Sequence, residues 1–217
     1  MMRLDFCRPP GSPLKILCLG AHSDDIEIGC GGTILRLLKE HRDVKVDWIV
    51  FSGKGDRAAE AKESADRFTR NAAERTIVVK GFRDGFFPYT GVEIKEHFEE
   101  LKASLSPHVI FTHSRGDLHQ DHRVISELTW NTFRDHFILE YEVIKYDGDL
   151  GTPNFYAHLD ESVCREKIET ILDVFRSQRP RRWFTDDVFL SILRLRGMES
   201  NAPERYAEGF YSRKSVV

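Results

Sequence analysis

The sequence has few cysteines, and their spacing excludes a disulfide scaffold or a cysteine metal site. The four cysteines, Cys7, Cys18, Cys30 and Cys164, lie far apart, and no two of them form a C-x-x-C pair. Cys18 lies in an apolar run and Cys30 lies between glycines, as expected for reduced and packed thiols. A chain of 217 residues is long enough to bury a core without covalent staples.

Long apolar runs and a strong charge bias are also absent from the sequence. No segment approaches the ~20 apolar residues that a membrane-spanning helix needs, and residues 1–13 lack the apolar stretch of a signal peptide. The formal net charge of −3 gives no reason to expect a nucleic acid partner. The sequence therefore predicts a cytoplasmic protein that neither inserts into a membrane nor binds nucleic acid.

What the sequence does contain is a regular alternation of strand-like and helix-like segments. Apolar runs of strand length cover 14–21, 44–52, 75–81 and 108–113, and a fifth strand, expected at a sheet edge, covers 138–146. Amphipathic helices are predicted at 33–41, 56–71, 93–105, 121–136, 162–175 and 188–197. Because no repeat or linker interrupts the pattern, it predicts one domain over residues 1–217. The expected architecture is a three-layer, Rossmann-like α/β fold, with a mostly parallel sheet and helices on both faces.

Two polar loops directly follow strands of this predicted sheet. H-S-D-D, from His22 to Asp25, follows the first strand, and D-L-H-Q-D-H, from Asp117 to His122, follows the fourth. Ligands of open α/β sheets bind at the carboxyl ends of the strands, so the two loops form a candidate site. Aspartate and serine before a helix are usual capping residues, and a lone histidine is usually structural. Two adjacent carboxylates together with clustered histidines exceed what a helix cap requires.

A metal site is the interpretation that uses most of these side chains. Two histidines and one carboxylate are a usual ligand set for catalytic zinc, and a further carboxylate can act as a general base. The residue types alone do not assign the roles within the pool of His22, Asp24, Asp25, His119, Asp121 and His122. The facial triad of non-haem iron enzymes uses the same set, and an α/β module that only binds a sugar or nucleotide is a further alternative. The glycines at 29, 31 and 32 do not form a G-x-G-x-x-G fingerprint, so a dinucleotide site is not predicted.

Together the two motifs resemble those of a known family. A-H-S-D-D-x-x-x-G-x-G-G, from Ala21 to Gly32, and H-Q-D-H, from His119 to His122, are similar to the LmbE-like, or PIG-L, de-N-acetylases. Segments R-A-A-E, F-R-D-G and Y-A-E-G-F, beginning at Arg57, Phe82 and Tyr206, extend the resemblance along the chain. The resemblance implies a hydrolase of a linear amide bond. Its small-molecule partner would be an N-acetylglucosamine-type sugar conjugate, from which it removes the acetyl group.

The resemblance also implies a cofactor and its ligands. One zinc ion per chain would be held by His22, Asp25 and His122, which match the ligand positions of the family motifs. Asp24 would be the general base that activates the attacking water. Zinc would thus be the cofactor of this enzyme, although the residue types alone leave iron open.

Four further residues receive roles from the resemblance. His119 would stabilise the oxyanion or protonate the leaving amine, and Asp121 would hold a histidine in its tautomer. Arg57 and Asp84 would contact sugar hydroxyls. For Arg57 an exposed arginine at a helix start is an equally ordinary explanation.

The chain departs from the family motifs at Ser23 and Gln120, where the family usually has proline. Neither proline supplies a metal ligand, so the implied ligand set is unaffected. Serine and glutamine lack the fixed φ of proline and add hydrogen-bonding groups next to the site. Nothing in the sequence selects one N-acetyl sugar. An apolar C-terminal helix would suit a contact between copies of the chain, which leaves a homo-oligomer open.

Overall fold

The structure, a computed structural model, describes residues 6, 9 and 11–216. The strands in these residues are β1 (Leu14–Gly20), β2 (Val44–Val50), β3 (Glu74–Val79), β4 (Val109–His113), β5 (Phe137–Tyr141), β6 (Phe155–Leu159) and β7 (Tyr206–Ser212). The α-helices are α1 (Asp25–Glu40), α2 (Asp56–Phe68), α3 (Gly91–Ser104), α4 (Gln120–Thr132), α5 (Glu161–Val174) and α6 (Asp186–Glu199). One-turn 3-10 helices lie at Phe87–Tyr89 and Arg176–Gln178.

The strands form one sheet with the order β3-β2-β1-β4-β5-β7-β6. The first five strands in chain order pair in parallel, and β7 runs antiparallel to both of its neighbours, β5 and β6. The predicted α/β fold with a mostly parallel sheet is therefore confirmed. The strand order reverses between β1 and β4, and this is the position where ligands of such sheets bind.

Some local predictions were wrong. The fifth strand is not at an edge, because β5 pairs with β4 on one side and β7 on the other. The helix predicted to continue to His136 ends at Thr132, since the chain must turn before β5 begins at Phe137. Strands β6 and β7 were missed because polar residues, such as His158 in β6 and Glu208 in β7, interrupt their apolar pattern.

The sheet separates two hydrophobic cores, one on each of its faces, and successive side chains of β1 point alternately into one core and the other. Ile16 and Cys18 belong to the core that α1, α2, α5 and α6 cover. Leu17 and Leu19 point the other way and pack with α3 and α4. The strand is thus buried on both faces, which explains why it reads as a continuous apolar run.

Three glycines of α1 allow this helix to approach the sheet and its neighbours closely. A Cβ at Gly31 would lie 2.6 Å from the ring of Phe68, and one at Gly32 would lie 2.6 Å from Leu159. A Cβ at Gly29 would overlap the ring of Tyr141, with Cγ at 2.5 Å. The glycine cluster therefore serves helix packing, and this packing sets the position of the loop that precedes α1.

We expect Gly29→Ala to lower the free energy of unfolding by about 1–3 kcal/mol, the usual cost of overpacking a core. Tyr141 cannot move away freely, because its hydroxyl donates to Leu19 O at 2.7 Å. Urea denaturation measures the effect. Gly91→Ala is the matched control, since Gly91 is also helical and an added Cβ would meet nothing within 4 Å. Equal stability of the two variants would contradict this account of the packing.

A buried ion pair anchors the middle of α1. Glu208 of β7 accepts hydrogen bonds from the backbone N–H groups of Gly32 and Thr33 at 2.8 and 2.7 Å. Lys167 of α5 donates to Glu208 at 2.6 Å and to Ile28 O at 2.7 Å. Since a buried charge needs its partner, these contacts tie α1, α5 and β7 into one unit.

Two further predictions concern features of the whole chain. Cys18 and Cys30 are free and buried, as predicted, and so is Cys164, whereas Cys7 lies outside the described residues. Among the helices of the described part of the chain, none combines the length and the apolar character needed to cross a membrane.

Candidate active site

The two polar motifs meet at the point where the strand order reverses. The loop after β1 leads directly into α1, whose first residue is Asp25, and the loop after β4 leads into α4, whose first residue is Gln120. Because β1 and β4 are neighbours in parallel, their carboxyl ends lie at the same edge of the sheet. The fold thereby brings together two motifs that lie far apart in the sequence.

The three side chains predicted as metal ligands converge here. His22 Nδ1 lies 3.1 Å from His122 Nε2, and Asp25 Oδ2 lies 3.3 and 3.4 Å from these two nitrogens. The other nitrogen of each ring faces a further carboxylate. His22 Nε2 lies 3.1 Å from Asp121 Oδ2, and His122 Nδ1 lies 2.8 Å from Asp117 Oδ2. Each imidazole is thus held between two acidic side chains.

This arrangement fits a bound metal ion. His22 Nε2 and His122 Nδ1 each face a carboxylate, which favours a proton on these nitrogens and leaves the nitrogens that face each other free to bind a metal ion in place of their own protons. The facing nitrogens lie beside Asp25 Oδ2, so three atoms that can bind a metal ion lie within 3.4 Å of one another. Such a group needs a positive charge, and two imidazoles with one carboxylate suit zinc and related divalent metals.

The charges around the site also favour a cation. Burial by itself would lower the pKa of His22, yet the nearby Asp25 and Asp121 carboxylates raise it well above its ordinary value. Burial likewise opposes a charge on His122, but Asp25 and Asp117 raise the pKa of that ring. In the absence of a metal ion, a proton is the positive charge that these carboxylates attract, so metal binding displaces protons.

Asp24 is paired with an arginine from the next helix. It precedes α1, is 5% exposed, and accepts a hydrogen bond at Oδ1 from Arg57 Nη2 at 2.9 Å. Burial disfavours the charge on Arg57, but Asp24 raises the arginine pKa above its ordinary value. The Arg57 Nη1 group is buried and has no hydrogen-bond partner among the described residues. Arg57 therefore orients the Asp24 carboxylate and keeps a donor group for a ligand.

His119 and Asp84 complete the cluster of predicted residues. The His119 ring centroid lies 4.9 Å from that of His22 and 4.6 Å from that of His122. Asp84 Oδ1 lies 3.1 Å from His22 Nε2, although the Asp84 side chain is 76% exposed. The hydrogen bond to His22 lowers the pKa of Asp84, against the smaller effect of burial. The structure thus brings all of the residues named from the sequence into one region.

Three side chains of the site had no role assigned from the sequence. Asp117, in the second motif, supports His122, and Lys145 Nζ donates to Asp117 Oδ2 at 3.0 Å. His113, the last residue of β4, stacks on His122 with ring centroids 3.9 Å apart and faces Asp25 Oδ2 at 3.3 Å. The position of His113 at the end of a buried strand was a usable signal. No sequence pattern pointed to Lys145.

His113 is a further histidine of this cluster, and Asp25, His113 and His122 together form a group that could hold a metal ion. The backbone N–H of Ala21 donates to His113 Nε2 at 3.0 Å, so the lone pair of this nitrogen is already engaged. Burial lowers the pKa of His113 to about 4, and burial raises the pKa of the nearby Glu27 to about 8. In both groups burial thus favours the uncharged form.

Comparisons with known proteins identify the family and the fold of the chain. The sequence profile of the PIG-L family, described as GlcNAc-PI de-N-acetylase, matches residues 17–133. The conserved protein TT1542 from Thermus thermophilus aligns with a TM-score of 0.71 and 22% identity, over 94% of this chain and 96% of that chain. N,N'-diacetylchitobiose deacetylase from Pyrococcus horikoshii aligns with a TM-score of 0.67 and 22% identity, over 96% and 87% of the two chains.

A third structure shows that the fold alone does not decide the reaction. The 4-carboxy-2-hydroxymuconate hydratase from Pseudomonas putida aligns with a TM-score of 0.69 and 16% identity, over 94% of this chain and 98% of that chain. At such identities the structural likeness concerns the fold, and function has to be argued from the site.

The family match is more specific than the structural likeness. It runs from within β1 to the residue after α4, so it includes both motifs and more than half of the 217 residues. The family predicted from the motifs is confirmed, and with it the hydrolytic N-deacetylase class. The chain belongs to the PIG-L, or LmbE-like, family of de-N-acetylases.

Proposed function

We propose that this chain is a zinc-dependent hydrolase that removes the acetyl group from an N-acetylglucosamine-type conjugate, releasing acetate and a free amino sugar. The observation that carries the proposal is the convergence of His22 Nδ1, Asp25 Oδ2 and His122 Nε2 within 3.4 Å of one another. The family description supports an N-acetyl sugar as substrate. The donor set supports zinc.

His22, Asp25 and His122 would hold one zinc ion per chain. Zinc bound by such a set polarises a carbonyl oxygen and lowers the pKa of a water molecule toward ~7. The protein contributes the orientation of its ligands. Asp121 and Asp117 each hold one imidazole through the ring nitrogen that faces away from the other ligands.

Asp24 would act as the general base. Arg57 donates a hydrogen bond to Oδ1 of Asp24 and so orients the carboxylate, and Oδ2 would take the proton from the attacking water. The water oxygen then bonds to the amide carbon of the acetyl group. The near burial of Asp24 keeps bulk water away from the carboxylate and strengthens its interactions.

His119 would donate a hydrogen bond to the oxyanion or to the nitrogen of the leaving amine. The backbone N–H of Asp121 donates to His119 Nδ1 at 3.3 Å, so the neutral ring carries its proton on Nε2. That N–H can donate to the developing oxyanion or to the sugar nitrogen. When the bond between the acetyl carbon and the nitrogen breaks, the nitrogen takes up the proton that the water lost, and acetate and the amine leave.

Arg57 and Asp84 would bind the sugar hydroxyls. Asp84 is an exposed acceptor directly beside His22, and Arg57 has a buried donor without a partner in the described structure. The exposed Asp84 acceptor and the buried Arg57 donor offer partners of both kinds to the hydroxyl groups of a sugar ring.

The experiment that tests the proposal combines metal analysis with a substrate panel. The purified chain is analysed for bound metals and then incubated with N-acetylglucosamine, N,N'-diacetylchitobiose and glycoside conjugates of N-acetylglucosamine. We expect zinc to be bound and acetate and primary amine to appear in equal amounts from at least one substrate. Equal release is required because hydrolysis forms one of each.

Three outcomes would contradict the proposal in different ways. Sugar binding without acetate release would indicate a binding module. Iron in place of zinc, with activity dependent on oxygen, would indicate an oxygenase. Addition of water to an unsaturated carboxylic acid, with no amine released, would indicate a hydratase.

A further inference from the structure

The segment 82–90, called here the β3 loop, is held by the first residues of α4. The Asp121 carboxylate accepts hydrogen bonds from Gly85 N at 2.7 Å and from Phe87 N at 3.1 Å. Gln120 Nε2 donates to the carbonyl oxygen of Gly85. Both backbone polar groups of Gly85 are therefore fixed by two consecutive side chains of one helix.

Gly85 adopts a backbone conformation that needs such support. Its φ is +78°, in the left-handed region that glycine tolerates best. Flexible glycine loses more conformational freedom than any other residue on ordering, so the two hydrogen bonds select one geometry among several. The chosen geometry determines where the preceding residue, Asp84, presents its side chain.

Asp84 depends on this geometry more than the other side chains of the site. It is 76% exposed, and its carboxylate approaches His22 Nε2 at 3.1 Å. An exposed side chain has little packing to hold it, so the backbone on either side decides its position. A shift of the Gly85 peptide would move Asp84 but would leave His122 and Asp25 in place, because these lie on α4 and α1.

We propose that Gln120 is a positioning residue for the substrate, acting through Gly85 on Asp84, an inference that rests on the proposed function. Gln120 is the first residue of α4 and stands where the family motif usually has proline. Proline suits the first helical position but has no side-chain donor. The acceptor is a carbonyl, which requires the NH₂ end of the Gln120 amide. This chain thus has a contact to the β3 loop that a proline could not make.

Gln120→Glu and Gln120→Pro test this role. Glutamate keeps the size but has no donor for the carbonyl, and proline keeps a good helix start without any donor. We expect both variants to raise KM for the N-acetyl sugar about 3- to 10-fold, the effect of losing one hydrogen bond. We expect kcat and the zinc content to stay at the wild-type level, because the side-chain hydrogen bond of Gln120 goes to Gly85 O and not to Asp24 or a predicted ligand.

A double-mutant cycle separates positioning from a general loss of structure. In an Asp84→Ala background, Gln120→Glu should have no further effect on KM, since the side chain that it positions is gone. Asn131→Asp is the matched control. It makes the same change from amide to carboxylate on the same helix, where Asn131 donates to Glu127 O at an exposed position.

The outcomes distinguish this inference from the proposed function. Wild-type turnover together with an unchanged KM in Gln120→Glu and Gln120→Pro would overturn the role of Gln120 alone. An effect of Gln120→Glu that persists in the Asp84→Ala background would do the same. If the wild type binds N-acetylglucosamine in calorimetry but releases no acetate, the proposed function fails. The dissociation constants of the same variants then test Gln120, with the same fold-change expected.

Discussion

Replacing Asp24 with asparagine is expected to lower kcat by about 10²- to 10⁴-fold, the usual contribution of a general base. Asparagine has the shape of aspartate and keeps an oxygen that can accept the hydrogen bond from Arg57. It cannot take up a proton from water. The variant therefore removes the proton acceptor while it preserves the packing around this nearly buried position. Acetate release under saturating substrate measures the effect.

The control for Asp24→Asn is Asp186→Asn. Asp186 is an exposed aspartate at the first position of α6, and the same substitution there should leave kcat unchanged. Elemental analysis of both variants should show the zinc content of the wild type, because Asp24 is not among the proposed ligands. Undiminished turnover of Asp24→Asn would rule out its role as the base. Loss of zinc would instead make Asp24 a ligand.

His22→Ala is expected to abolish stable zinc binding, and with it the activity. The imidazole supplies one of only three proposed ligands, and two remaining ligands do not form a usual catalytic zinc site. Elemental analysis after extensive dialysis measures the metal directly, without a substrate. His41→Ala is the matched control, because His41 caps the opposite end of α1. A His22→Ala protein that retains its full zinc content would contradict the ligand assignment.

A graded effect is expected from the residue that orients His22. Asp121→Asn should weaken zinc binding by about 10- to 100-fold without abolishing it, as found when the partners of metal ligands are changed. Asp121 faces His22 Nε2 at 3.1 Å and also accepts the Gly85 amide, so asparagine keeps some of these contacts. Competition with a chelator of known affinity measures the difference. Zinc affinity equal to that of the wild type would show that Asp121 serves only the β3 loop.

The strands that position the site were predictable from the sequence. β1 and β4 read as continuous apolar runs because each is buried on both faces, and such runs differ clearly from their polar surroundings. β6 and β7 escaped prediction, since each is partly polar. Their sequence pattern favours a strand only weakly, and they form strands because they pair antiparallel within the sheet. The neighbouring strands are available for this pairing only in the folded chain.

The candidate ligands were also predictable, but their supporting contacts were not. His22, Asp25 and His122 lie in the two polar motifs that follow strands, and the family resemblance implies them as the ligands. Lys145 lies in an irregular segment after β5, and nothing in its surroundings along the chain indicates that it donates to Asp117. A contact of this kind depends on how a loop crosses the edge of the sheet.

The sequence by itself determined the alternation of strands and helices, the two polar motifs and the chemistry of the donor set. These features are local, because burial on both faces, helix amphipathicity and residue type are all properties of short segments. Only the tertiary structure decided which carboxylate supports which imidazole. The Asp121 carboxylate contacts the imidazole of His22, a residue 99 positions away. The imidazole of His122, the next residue in the sequence, contacts Asp117 instead. The physical reason is the order of the sheet: β1 and β4 lie side by side, and that adjacency comes from long-range strand pairing.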